Sequence, residues 1–105
     1  MVMIKEGQWH IGQLVRHKLF YYRGVIYDVD PVFMLSDEWY ELVAKSRPPK
    51  DEPWYRVLVN DSDHETYVAQ RNLEADPTGE PIAHPAVSYY FSGFENGQYR
   101  FDQAN

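Results

Sequence analysis

The sequence has no cysteine, which excludes a disulfide scaffold, a thiolate zinc site and a cysteine nucleophile together. It has no long apolar run. Its start, MVMIKEGQWH, is too short and too polar for a signal peptide or a membrane span, so a cytoplasmic protein with no membrane partner is expected. Cations are few for the acids present, ten Lys and Arg against sixteen Asp and Glu, a net charge of −6. Such a chain repels nucleic acid at long range unless its cations gather on one face. Histidine is scarce as well: His10, His17, His64 and His84 have no helical ligand spacing, and His64-Glu65 is no part of an HExxH motif. No metal or cofactor is therefore expected. Serine elbows, phosphate loops and dinucleotide fingerprints are missing too, so the chain is not expected to be an enzyme.

What the sequence does hold is rings: nine Tyr, five Phe and three Trp in 105 residues. A chain of this length makes one domain (1–105), and large aromatics must fill much of its core. Seven prolines and six glycines cut it into short segments, as short-stranded β folds require. Ile11 to Pro31, IGQLVRHKLFYYRGVIYDVDP, reads as two strands joined at a bend. Gly12 opens the first, and Gly24 interrupts the second, where a residue without Cβ and with positive φ would allow a bulge or curl. Strand, bend and curled strand begin very small barrels, because closing few strands needs strong coiling. The expected fold is mainly β: a small SH3-like, partly open barrel with one short helix.

The helix is placed after Pro31. Ser36 is a cap with Asp37 and Glu38 in the first turn, and Leu35 and Tyr40 have hydrophobic-staple spacing. Trp39, Leu42 and Val43 form the expected inward face, and Glu41 is spaced to pair with Lys45. Trp54 to Val59, apolar on both faces, reads as an interior strand. Asn60 to His64 is a polar turn, and Thr66 to Gln70 returns antiparallel. Asp76-Pro77-Thr78-Gly79 fits a turn, Val87 to Phe91 reads as extended, and Asn96-Gly97 marks a tight hairpin.

Four blocks, GQLVRH at Gly12, RGVIYDVDP at Arg23, PWYRVLV at Pro53 and TYVAQRNL at Thr66, together resemble the YccV-like, hemimethylated-DNA-binding family, which includes the heat shock protein HspQ group. The resemblance implies a heat-shock-associated regulatory protein. Its implied partners are hemimethylated DNA and the Lon protease, with an effect on turnover of a replication initiator. It also implies a homo-oligomer.

Three residue sets compete for a functional role. Asp28 and Asp30 flank Val29 with carboxylates about 7 Å apart, spaced for a hydrolytic pair or a cation, or simply for capping the turn at Pro31. Arg16, Lys18, Arg23 and Arg56 are the candidate DNA contacts. They form either a patch that follows phosphates or scattered charges that solvate an outer face. Tyr21, Tyr22 and Tyr55 are the candidate partner-binding rings, either stacking beside that patch or forming a protein or oligomer surface. The alternative to DNA binding is a protein-interaction module, a protease adaptor or an oligomer, that never touches nucleic acid.

Overall fold

The computed structural model describes residues 7–101; Lys5 and Glu6, included in the net charge above, lie outside them. Five strands form one antiparallel sheet: β1 (Leu14–His17), β2 (Arg23–Asp30), β3 (Trp54–Val59), β4 (Glu65–Ala69) and β5 (Leu73–Ala75). Their order is β4-β3-β2-β1-β5. The sheet curls but does not close, since β4 and β5 are not paired. The hydroxyl of Tyr22, just before β2, meets the Thr66 hydroxyl on β4 at 2.8 Å. A hairpin of β6 (Gly93–Glu95) and β7 (Gln98–Arg100) makes a second, two-stranded sheet, joined to the first through the Gln13–Gln98 bridge. Asn96 and Gly97 both have positive φ, 55° and 77°, which suits a tight type I′ connection.

Alternation along β3 explains how three clusters share so small a domain. Tyr55 and Val57 face the concave side and pack with Val15, Ile26, Val68 and Leu73. Trp54, Arg56 and Leu58 face the other way. Leu58 joins Leu14, Val25, Ile82, Phe91 and Tyr99 beneath the C-terminal segment. Trp54, at the opposite end, joins Tyr40, Ala44 and Ala69 beneath α1 (Asp37–Val43). Arg56 is left in the gap between those two covers.

Helix α1 starts as the sequence predicts: Ser36 Oγ accepts the Trp39 N–H at 3.1 Å. Its buried face differs from expectation. Tyr40 and Ala44 are buried, and Trp39 half-buried, whereas Leu42 and Val43 are 71% and 54% exposed. The Tyr40 hydroxyl reaches the Pro48 carbonyl at 2.7 Å and turns the helix that way. Glu41 pairs with Arg47 at 2.7 Å, not with Lys45.

Two further expectations are corrected. Val87 to Phe91 is not extended: Val87–Tyr90 is a single helical turn, α2, so the described residues hold two short α-helices. Gly24 carries neither a bulge nor positive φ. The register shift lies between Ile26 and Asp28. Glycine is required at position 24 because a Cβ there would sit 2.4 Å from Val57 Cγ1 and 2.6 Å from the Leu58 carbonyl oxygen. Close approach between strands, not backbone freedom, sets that residue.

Candidate recognition surface

Three of the four cations proposed from sequence, Arg16, Arg23 and Arg56, are paired with carboxylates. Arg16 and Arg23 are register partners on β1 and β2. Cross-strand like charges repel, and the following strand supplies the relief. Arg16 Nε donates to Glu74 Oε2 at 2.6 Å, with Glu74 placed opposite Arg16 by the β1–β5 register. Arg23 makes a two-pronged pair with Asp76, at 3.0 and 2.9 Å, and also donates to the Glu80 carbonyl. The Asp76 side chain has no exposed surface. Burial opposes its ionisation, but hydrogen bonds from Arg23 and Thr78 and the Arg23 charge outweigh that and hold its carboxyl below the ordinary value. Arg56, on β3, stands 3.9 Å from Asp28 and 3.8 Å from Asp30, its guanidinium 4.8 Å from the Tyr67 ring centre. Lys18 follows β1 in an exposed turn and makes no ion pair among the described residues.

Asp28 and Asp30 are thus occupied by Arg56. Asp28 Oδ1 also accepts the Val29 N–H at 2.9 Å, and Asp30 Oδ2 accepts the Tyr67 hydroxyl at 2.7 Å. That arrangement is an ion-pair and turn network. Among the described residues no cluster of three or more metal-ligating side chains occurs.

The three tyrosines also separate. Tyr21 is 69% exposed at the tip of the β1–β2 turn, with a positive φ of 64°. Tyr22 is half-buried beside Thr66. Tyr55 is fully buried, its hydroxyl donating to Gln70 Oε1 at 2.8 Å and accepting the Trp9 N–H at 3.1 Å. Tyr55 therefore belongs to the interior and cannot stack on a partner.

His17 is what holds the exposed turn in shape. Its Nδ1 accepts backbone N–H groups from Leu19 (3.1 Å) and Phe20 (3.2 Å), which requires an unprotonated nitrogen there. The ring stacks on Phe20, with centroids 4.7 Å apart. Burial pushes the imidazole below its ordinary pKa, in keeping with that role.

Between this turn, β4 and α1 runs a groove of about 610 Å³. Phe20, Tyr22, Trp39, Val43, Trp54 and Tyr67 give it an aromatic and aliphatic lining. Trp54 stacks on Tyr67 at 5.3 Å, so the floor is built on core rings, while Phe20 at the rim is 72% exposed. Sequence reasoning missed this groove. The signal available was the run Leu19-Phe20-Tyr21 between two strands, three large apolar side chains in a turn that has no room to bury them.

The family model described as hemimethylated DNA-binding protein YccV like matches residues 7–98. The chain belongs to the YccV-like family. Among curated proteins, F-box only protein 21 of Homo sapiens, Pongo abelii and Mus musculus are each 38% identical to it over 93 residues. The matched region is 87% of this chain and 15% of each relative, so the chain spans a small fraction of the curated relatives' length. No helix among the described residues is long and apolar enough to cross a membrane.

Proposed function

We propose that this YccV-like domain is a non-catalytic regulatory module that works chiefly by recognising other polypeptides. In that role it resembles HspQ as a specificity-enhancing adaptor or substrate of the Lon protease. The observation that carries this reading is the contrast between charged groups already paired, among them Arg56 in the groove lining, and apolar groups left exposed. Arg16, Arg23 and Arg56 each face a carboxylate within 4 Å, which cancels most of the charge a duplex would seek. The groove beside β4 instead offers exposed apolar walls, the chemistry of protein recognition. Presence of the same domain within an F-box protein fits a portable recognition unit. The test is co-precipitation with Lon and the rate of Lon-dependent substrate degradation, with and without the domain. A rate unchanged at saturating domain, with no co-precipitation, refutes the adaptor role.

Binding to hemimethylated DNA is the second reading, favoured by the family's description. Its contacts would be Arg16, Lys18, Arg23 and Arg56, the first two arginines adjacent in register. A mobility-shift titration against salt decides it. True phosphate contact weakens steeply with added salt, and absence of any shift near 150 mM salt, about the physiological level, removes the duplex. A homo-oligomer, also implied by the resemblance, is tested by light scattering across concentration.

A further inference from the structure

Among the described residues strand β4 has a neighbour on one side only. The Val59 N–H bonds the His64 carbonyl at 3.1 Å, and the Gln70 N–H bonds the Pro53 carbonyl at 3.0 Å. With the register Tyr55↔Val68, Arg56↔Tyr67 and Val57↔Thr66 between them, antiparallel alternation gives the ladder bonds to Thr66 and Val68. It turns the backbone N–H and C=O of Glu65 and Tyr67 outward, where neither has a backbone partner among the described residues.

The groove lies along this edge. All five residues of β4 line it, from both faces of the strand, as a groove that wraps past a strand edge does; Trp54 and Arg56 of β3 line it as well. One end is cationic. Lys45 lines the groove. The Lys18 N–H bonds the Asn72 carbonyl at 2.8 Å, and the Asn72 amide bonds the Ser46 hydroxyl at 3.1 Å, so the Lys18 and Lys45 segments meet near the Ala69 end of β4. Neither lysine has an ion-pair partner among the described residues. At the other end stands Glu65, which accepts the Tyr27 hydroxyl.

We propose that β4 takes an extended polypeptide segment by strand addition. Its alternate side chains are apolar and enter the groove, and a carboxylate at one end meets Lys18 and Lys45. Main-chain bonds to Glu65 and Tyr67 provide the attachment, and the pockets select the side chains. The inference rests on the protein-recognition reading above and specifies its site and ligand. A nucleic acid is disfavoured because an open edge asks for amide donors and acceptors repeating at strand spacing, which a phosphate backbone lacks.

A display library of ten-residue peptides, selected on the full chain, supplies the probe. Enriched sequences should alternate apolar residues and end in Asp, Glu or a free carboxylate. With such a peptide bound, amide exchange at Glu65 and Tyr67 should slow by roughly tenfold or more. N-methylation of the peptide amides that face β4 should weaken binding by about tenfold, as loss of main-chain bonds requires. Lys45→Glu, an exposed change that should leave the melting point unaltered, should weaken an acidic peptide by about fivefold and reverse the preference toward basic ones. Binding indifferent to N-methylation, perturbed amides away from β4, occupation of the edge by a second copy of the chain, or perturbation of the groove by a hemimethylated duplex instead of peptide would each overturn strand addition. If Lon still co-precipitates in that event, protein recognition survives and only its proposed site fails; if neither peptide nor Lon binds, both fail.

Discussion

Gly24 offers a direct test of how the sheet is assembled. Position 24 sits on β2 between β1 and β3, paired with Val15 and Val59, and its φ is not positive. Alanine is therefore acceptable to the backbone, and any cost must come from contact. The added Cβ would lie 2.4 Å from Val57 Cγ1 and 2.6 Å from the Leu58 carbonyl oxygen, and both residues are fully buried. One clash is with a side chain that can be trimmed, the other with the ladder itself. Overpacking of this kind costs about 1–3 kcal/mol, or roughly 4–20 °C in melting temperature for a domain this small. Urea unfolding of Gly24→Ala, Val57→Ala and the double variant separates the two contacts. The double variant should lose less than the sum of the singles by about 0.5–3 kcal/mol, because Val57→Ala removes the nearer obstacle, yet it should not recover fully while the Leu58 carbonyl remains. Gly93→Ala is the control: its Cβ would meet nothing closer than 3.7 Å and φ is again not positive, so it should be neutral or stabilising by about 0.4–1 kcal/mol. A Gly24→Ala variant within about 0.5 kcal/mol of the parent, the range of an ordinary surface change, would refute the close-approach account.

His17 should make stability depend on pH. Its folded pKa lies below the ordinary 6.5, so the neutral form stabilises the fold above that value, and the contribution is lost as pH falls from 6.5 through the folded pKa. Thermal melts at pH 7.5 and 5.5 should differ, and His17→Gln should flatten that step; an NMR titration placing His17 at or above 6.5 contradicts the assignment. Asp76 acts in a separate window, below about pH 4, where protonating its depressed carboxyl should loosen Arg23. Trp54→Ala should cost about 3–5 kcal/mol, since the ring is 1% exposed and its indole N–H donates to the Pro49 carbonyl at 3.0 Å; a loss under about 1 kcal/mol would move Trp54 out of the core. Phe20→Ser, changing a ring 72% exposed, should leave the melting point nearly unchanged while weakening whatever binds the groove, and a large destabilisation would instead make Phe20 structural.

Much of the fold was legible in the sequence because it was written in local terms. Ser36 three residues before an amide donor, Asn96-Gly97 between two short runs, and apolar residues on both faces of Trp54–Val59 each need only their own neighbourhood to be read. The errors arose where tertiary contact decides. Helical spacing nominated Trp39, Leu42 and Val43 as the inward face, but the Tyr40 hydroxyl bonding the Pro48 carbonyl rotates α1 onto Tyr40 and Ala44. Val87-Ser88-Tyr89-Tyr90-Phe91 has strand-forming residues, yet it closes one helical turn, with the Phe91 N–H bonding the Val87 carbonyl at 2.9 Å, and this lays Phe91 against Tyr99. A glycine in a strand signals that something is close, without saying whether the cause is a dihedral angle or a neighbour.

Charge was harder to read than shape, and the reason bears on function. Counting Arg16, Arg23 and Arg56 along the chain says nothing about Glu74, Asp76, Asp28 and Asp30, which lie up to 58 residues away or across a strand pair. Only the β1–β5 register puts a carboxylate opposite Arg16, and only the β2–β3 register puts Asp28 opposite Arg56. Pairing turns three potential phosphate contacts into sheet-stabilising bonds, so a duplex would have to displace a carboxylate for each arginine it engages. Lys18 and Lys45 face no such competition among the described residues; Lys45 lines the apolar groove, and the Lys18 segment meets the Lys45 segment through Asn72. A partner with its own carboxylate and an extended backbone meets those groups without breaking any bond the domain already makes, and this difference in starting cost favours a polypeptide over a nucleic acid at this surface.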